Sequence, residues 1–502
     1  MLEPGATPDA SLGRSRDYLI DLSPKFVMSR GELVKLLVYT GVASYLNWGG
    51  VDGSFVYNTK KLYRVPGTPK EMVMSSLVSL MQKNRLRKFG EYLIKCPAAA
   101  LESPKKVSYS VTYEAGSLGI SMDATGSAKG TAAITKVVPG GQSAAGGCVV
   151  GDVLMWVGDV NVSELPYPEV LGAIKGATRP LDVKFVGRRT SPEAAAATLP
   201  SGGPPGGPKA VTMKALYDHF WLSEDTADFV GHAMALQRDE AYKAQCAAPT
   251  MAACKVYVDS LATMVQSTPS FRSPYLYPQY GLSGLPEGFA RACAVNGGAF
   301  CLNAGDVELL FEDGSTTPSD GGAQIAGVRT KNCRMFGEGA PAACKAPIVI
   351  GNPNFFPDSM KKATGEKIVR SIFILDRPVP NTDDSESTMI ILPQKWFGRS
   401  SDIYITVVGS GHLVAPKGKY IVICSTTVET ADPIAELAPA LKIIGGTFLK
   451  RFNHITERFV PATSGNMNGC YMTNSLDATA NFEGVMANAL EIYESIFGEP
   501  VR

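Results

Sequence analysis

The chain has 502 residues, 48 Lys and Arg against 47 Asp and Glu, and a net charge of +1. That length exceeds what one core normally fills and points to two or three domains. The balanced charge, with no block of one sign, excludes bulk attraction to nucleic acid or to an anionic membrane as the working principle. The ten cysteines include no CxxC. The near pairs Cys246/Cys254 and Cys293/Cys301 lack neighbouring histidines at metal-ligand spacing, so the expectation is a reduced, cytoplasmic protein with buried thiols and no metal. Residues 1–11 carry Glu3, Asp9 and two prolines and have no apolar core of a secretory signal. No run reaches the roughly eighteen apolar residues of a spanning helix, and Glu499-Pro-Val-Arg502 is not a prenylation box. A protein that works at membranes with this sequence visits them.

In chain order, residues 19–22 alternate like a brief strand closed by Pro24. Ser29-Arg-Gly-Glu32 has the form of a capping box, followed by a helical apolar face from Leu33 towards Leu46. Residues 54–57 and 61–65 read as a hairpin. A second capping box, Thr68-Pro-Lys-Glu71, opens a helical pattern from Met72 to Ile94. The texture then changes. Residues 107–113, 120–122, 133–138, 153–157 and 181–186 are short alternating strands with one helix, 167–175, among them. The stretch 191–209, rich in Pro, Gly and Ala, reads as a flexible linker.

Beyond it, residues 212–220, 223–236 and 255–266 are helical, with Ser223 as a cap and Glu224 and Asp225 at a positive helix start. His232 shares an apolar face there and reads as a satisfied core histidine, with no HExxH beside it. Ser273 to Asn303 is the densest run of local instructions. Its prolines and aromatics predict a loop, Pro286 a helix start, Gly297-Gly298 its end, and residues 299–302 an extended segment. Strands at 307–312, 327–328, 348–350, 369–375, 389–392, 403–408 and 420–424 and helices at 433–444 and 480–497 complete a mixed α/β (α+β) pattern.

Several of these stretches, in this order, resemble Rab GDP-dissociation inhibitors: Arg14-Ser-Arg-Asp-Tyr-Leu-Ile-Asp-Leu-Ser-Pro-Lys-Phe26, Gly53-Ser-Phe-Val-Tyr57, Arg87-Lys-Phe89, Phe229-Val-Gly-His-Ala-Met-Ala-Leu236, 273–303, Ser401-Asp-Ile-Tyr404 and Gly418-Lys-Tyr-Ile421. The resemblance covers residues 12–95 and 210–497. It implies a mixed-sheet domain with a helical second domain. It also implies a non-enzymatic carrier that binds prenylated Rab GTPases in the GDP form, holds the lipid among helices 68–94 and 212–236, and moves Rabs between membranes. Arg14, Arg16 and Arg291 match GTPase-contacting positions, and Ser273 and Tyr275 lie in the matching mobile loop. Gly284 stands where an acid is usual, and Ala299 and Cys301 replace a threonine and a methionine. Family members normally begin with a strand and glycine-rich turn, and the expectation is that this chain starts downstream of that point.

Residues 107–188 carry a second resemblance. Gly116-Ser-Leu-Gly-Ile120, Val138-Pro-Gly-Gly-Gln-Ser-Ala-Ala145 and Val150-Gly-Asp-Val-Leu154 resemble a PDZ domain inserted into the first. Ser117, Leu118, Gly119 and Ile120 would then form the carboxylate-binding loop, with Tyr167 at the helix start helping to choose a C-terminal peptide. Catalysis is not indicated. Gly409-Ser-Gly411 follows a strand, but Val414 occupies the third position of a dinucleotide fingerprint, so no cofactor is expected. A Rab escort protein, a flavin oxidoreductase of the related fold and a PDZ scaffold stand as alternatives.

Overall fold

The computed structural model describes residues 11–498 and 501, apart from 59–60, 67–70, 72–74, 76, 103–104, 125–131, 163–164, 190–192, 194–195, 269–270, 318–322, 333–341 and 463–466. The chain divides into two compact units, Met1–Cys96 with Leu199–Ile492 and Pro97–Thr198 with Tyr493–Arg502. Elements are numbered in chain order.

The larger unit is organised on a seven-stranded sheet. Its order is β20 (Lys450–Pro461), β16 (Lys361–Leu375), β19 (Tyr420–Thr427), β18 (Ile403–Val408), β17 (Thr388–Leu392), β3 (Gly53–Asn58), β4 (Lys61–Arg64). All neighbours are antiparallel except β17 and β3. Every residue of β17 and β18 is buried, which is why both are mostly apolar, interrupted by Thr388 and Thr406, rather than alternating. Phe373, Ile390, Ile405 and Val422 form the centre of its core with Leu437 and Ala440.

A second sheet has the order β1 (Val27–Met28), β11 (Tyr275–Pro278), β2 (Trp48–Gly50). Helices α1 (Glu32–Tyr39), α7 (Gly284–Val295) and α8 (Glu483–Phe497) bury Leu33, Leu37, Leu285 and Met486 with Val27. A meander of β12 (Gly305–Phe311), β13 (Ile325–Asn332) and β14 (Ala342–Lys345) leads to β15 (Val349–Gly351), which pairs in parallel with β21 (Cys470–Met472).

The helical part comprises α2 (Leu80–Lys95), α4 (Met213–His219), α5 (Glu224–Asp228) and α6 (Ala247–Ser267). Aromatic rings fill the space between α2 and α4: Phe89 meets Phe220 edge to face at 5.6 Å and Tyr217 at 6.3 Å, and Tyr92 lies 5.5 Å from Phe220.

In the smaller unit the sheet order is β5 (Lys105–Tyr113), β10 (Leu181–Arg189), β8 (Val153–Val157), β7 (Ala133–Val137), β6 (Ile120–Asp123), with β9 (Val160–Asn161) on β8. Helix α3 (Tyr167–Gly176) contributes Val170 to a core of Tyr113, Leu154, Val183 and Phe185. Asp152, almost wholly buried, receives both Arg189 guanidinium nitrogens at 2.6 Å and the Tyr109 hydroxyl at 2.5 Å.

Several local expectations fail for identifiable reasons. Residues 19–22 are irregular, and the first strand is Val27–Met28. Ser29 does not cap α1. Its hydroxyl donates to the Ser260 carbonyl at 3.1 Å, and Gly31 is the N-cap without a side-chain bond. The box at Thr68-Pro-Lys-Glu71 and Met72 fall largely outside the described residues, and the helix described begins at Leu80. Residues 275–278, expected as loop, are the central strand of a sheet, because alternate tyrosines 275 and 277 have an aromatic core to enter. Pro286 is the third residue of α7, and residues 299–302 form no strand; β12 starts at Gly305. Within the expected linker, Pro208 is buried and begins a short 3₁₀ helix, Pro208–Ala210. Among the described residues eight cysteines are free thiols, three of them (Cys246, Cys293 and Cys344) exposed rather than buried, and Cys301 is disulfide-bonded, against the expectation of buried thiols throughout.

Candidate functional site

Three groups of side chains in the larger unit carry charge in ways a fold alone does not require. The first is the expected set of GTPase contacts. Arg14 and Arg16 flank and enter a short 3₁₀ turn, Ser15–Asp17, and both are exposed. Arg14 Nε reaches Asp17 at 3.0 Å, an exposed pair worth little to stability. Arg291 projects from α7 over the ring of Tyr45 at 4.7 Å, a cation–π contact that fixes the guanidinium while leaving it open to solvent.

The turn after β11 is tied to the segment following Arg16 by Asp21, whose carboxylate accepts from the Tyr277 hydroxyl and from the Leu282 amide at 2.9 Å. Gly281 turns there with φ +86°, and a Cβ would lie 3.1 Å from that carboxylate. Ser273 and Tyr275 lie inside. Both are fully buried; the Ser273 hydroxyl accepts from the Tyr275 amide at 3.3 Å, and Tyr275 packs between Phe26 and Tyr257. They shape the turn but present no side chain to a partner in this arrangement.

The second group surrounds His232. After α5 the chain widens into a π-helical stretch, Phe229–Met234, with the Ala235 amide donating to the Val230 carbonyl at 2.9 Å. Such widenings are rare and cluster at functional or strained sites. Gly231 is required there, since a Cβ would fall 1.9 Å from the Tyr242 hydroxyl. The imidazole bonds Asp402 through Nδ1 at 2.7 Å and Glu240 through Nε2 at 3.0 Å. Burial pushes the ring's pKa down, but the two carboxylates win and raise it to about 10. Glu240 is held down at about 2 by His232 and Lys243, whereas burial pushes Asp402 up against the pull of His232. The sequence-based reading of a satisfied core histidine is correct, and its partners come from 8 and 170 residues away.

Asp228, His232 and Glu240 lie close enough to share a cation. Lys243 sits at 2.6 Å from Asp228 and 2.5 Å from Glu240, and Lys395 also pairs with Asp228. The two ammonium groups already supply the positive charge a metal would bring, so the donor set does not fit one.

The third group was not legible in the sequence. A cleft of about 1090 Å³ is lined by Arg238, Arg370, His454, Arg458, Asp477 and Glu483. Asp477 holds its floor: buried Lys25 meets it at 3.0 Å and Arg238 at 3.4 Å, and the cations keep its carboxyl at about 2 despite burial. Arg370 donates to the Asp477 carbonyl and to Thr456 at 3.3 Å. The 12-residue strand β20 that brings His454 and Arg458 there lacks strict alternation; its β-branched and aromatic residues were the available signal.

In the smaller unit, Leu118 accepts from the Ser143 hydroxyl at 2.6 Å, and the Gly119 amide points to the Ser117 hydroxyl at 3.2 Å. Ile120 opens β6, the terminal strand of its sheet. Tyr167 begins α3, and its hydroxyl donates to the Met122 carbonyl of β6 at 2.6 Å. The expected loop, edge strand and helix start are thus brought together, with one edge carbonyl occupied by Tyr167.

The family model described as "GDI: GDP dissociation inhibitor" matches residues 2–109 and 207–502. The probable secretory pathway GDP dissociation inhibitor 1 of Schizosaccharomyces pombe is 30% identical over 499 residues, covering 99% of this chain and 85% of that protein. The Rab GDP-dissociation inhibitor of Saccharomyces cerevisiae is 30% identical over 493 residues, 98% of this chain and 82% of the relative. A crystal structure of a Rab GDI from Plasmodium falciparum is 28% identical, with a TM-score of 0.69, over 100% of this chain and 87% of that one.

Proposed function

The chain belongs to the GDP dissociation inhibitor family, and from that premise we propose that it binds prenylated Rab GTPases in their GDP form, withdraws them from membranes and carries them between compartments. It acts by binding, not by catalysis, as the names of its relatives indicate. Those names support an inhibitor over an escort protein or a flavin oxidoreductase. The observation that carries the reading is the family match on both sides of the smaller unit.

Arg14, Arg16 and Arg291 are the exposed cations assigned to the GTPase, while Ser273 and Tyr275 hold the neighbouring turn in shape. The lipid is assigned to the helices α2, α4 and α5. At ~0.8 kcal/mol per buried CH₂, a twenty-carbon tail represents on the order of 10 kcal/mol of apolar transfer. The aromatic packing of Phe89, Tyr92 and Phe220 fills the space between α2 and α4, so a tail entering there displaces it. Among the described residues no helix is long and apolar enough to cross a membrane; membrane contact in this reading is transient. The unit 97–198 is assigned a C-terminal peptide, received at Leu118, Gly119 and Ile120 beside β6 once Tyr167 releases the Met122 carbonyl.

The test is extraction. Membranes loaded with GDP-bound prenylated Rab are incubated with the purified chain, and Rab in the supernatant is measured. Release is expected, and Arg291→Ala is expected to weaken it. No release by a folded protein would overturn the carrier reading.

A further inference from the structure

Trp221 occupies a place where chain geometry favours glycine. Helix α4 ends at His219, and the two bonds that close its C-terminus are the Trp221 amide to the Asp218 carbonyl at 3.0 Å and the Leu222 amide to the Tyr217 carbonyl at 3.0 Å. This pair defines a closure whose C′ residue is left-handed, normally glycine or asparagine. Trp221 adopts φ +56° there. A bulky residue at positive φ costs about 1 kcal/mol or more. The ring gains no burial in return, for Trp221 is 73% exposed. Neither backbone preference nor packing accounts for a tryptophan at this position, which leaves contact with something outside the chain.

The surroundings say what that is. The Trp221 carbonyl accepts from Arg85 at 2.9 Å and lies 3.4 Å from the Gln82 amide nitrogen, so residue 221 sits against the first turns of α2. That helix begins with Leu80 and Met81, 83% and 67% exposed. Met81, Arg85 and Lys88 follow at i, i+4 and i+7 on one face. The helix carries five basic residues, Lys83, Arg85, Arg87, Lys88 and Lys95, against one acid, Glu91. Of the acids close to Trp221 in sequence, Asp218 is paired with Lys214 at 3.0 Å and Asp225 with Lys395 at 2.8 Å, while Glu224 is exposed; the basic residues of α2 outnumber it.

We propose that Leu80, Met81 and Trp221, with the basic face of α2, form a docking surface for an anionic lipid bilayer. Tryptophan is the side chain most suited to the headgroup boundary, where its ring is buried and its N–H stays hydrated. Lysines and arginines around an apolar tip add attraction to anionic lipid that fades within a Debye length. The chain's near-zero net charge conceals this local excess. The inference rests on the proposed membrane-visiting role and names the surface that performs it.

The experiment uses the full chain and vesicles without any GTPase, of phosphatidylcholine alone or with phosphatidylserine, read by co-sedimentation and by tryptophan fluorescence. Expected are binding to the phosphatidylserine vesicles, loss of it at high salt, and a blue shift absent in Trp221→Gly. Trp221→Gly is expected to lower binding by roughly tenfold or more with an unfolding midpoint equal to or above that of the parent, since glycine suits the backbone. Lys88→Glu, at an exposed site, is expected to weaken binding and its salt dependence together. Absence of binding to phosphatidylserine vesicles overturns the proposal, as does undiminished binding of Trp221→Gly. If Trp221→Gly extracts Rab poorly yet bare vesicles never bind the parent chain, the surface belongs to a protein partner instead. Because the vesicles hold no GTPase, failure here is distinguishable from failure of the carrier reading.

Discussion

The cluster around His232 and the arginines at 14, 16 and 291 both assemble charge in one unit, but they use it in opposite ways. At His232 the imidazole and Asp402 are buried, and the carboxylates of Asp228 and Glu240 are answered by lysines as well. Such a network stores its value in completeness: each member is cheap while its partners remain and costly once one is gone. The three arginines have at most one weak partner each and point outward. They add almost nothing to folding, and their charge stays available to a partner.

The contrast is tested most severely by Asp402→Ala. Removing the buried carboxylate leaves a protonated imidazole in a dry site, and a stability loss of roughly 3–5 kcal/mol is expected in denaturant titration. An unchanged midpoint would mean that the network is decorative. The pH dependence comes next. His232 rises from an ordinary 6.5 to about 10 in the folded chain, so the folded state holds its proton more tightly than the unfolded one. Its stabilisation is complete below about pH 6.5 and drains away as pH climbs through about 10, by on the order of 5 kcal/mol. The unfolding free energy of the parent is expected to fall across that window more steeply than that of His232→Asn; equal slopes would contradict the assignment.

Arg291→Ala lies on the other side of the comparison. It is expected to weaken GTPase capture by roughly tenfold while shifting stability by less than about 0.5 kcal/mol. The smallest effect is expected of Ser260→Ala, which removes the acceptor of the Arg30 amide at 3.0 Å; a cost of about 1 kcal/mol is expected in thermal unfolding, with capture unaltered.

The sequence exposed elements whose periodicity is internal. The hairpin of β3 and β4, five of the six strands and helix α3 of the smaller unit, and β16 to β19 all announce themselves by alternation, apolar runs and turn residues. What it hid depends on distant partners. Ser29 has the spacing of a cap, yet Ser260 claims its hydroxyl. Tyr275 sits among loop-forming prolines, yet β1 and β2 take it as a central strand. The three arginines of the expected GTPase surface were legible through resemblance alone, and the fold leaves them exposed. The cleft around Asp477 depends on Lys25, Arg238 and Arg370 converging from three distant stretches, which no local pattern records.

The larger unit is interrupted by residues 97–198, and its two flanks meet again at once: a Cβ on Gly203 would stand 2.2 Å from the ring of Tyr92. For a folding chain this contact closes a loop whose contents need not be ordered first. The entropy of that closure grows only with the logarithm of loop length, about 0.6 kcal/mol for each doubling. A module can therefore be lengthened, shortened or exchanged there over evolutionary time at small thermodynamic penalty to its host. The junction at Tyr92 and Gly203 joins the pairing of β3 with β17 and of β11 with β1 and β2 in holding the carrier's two sequence halves together.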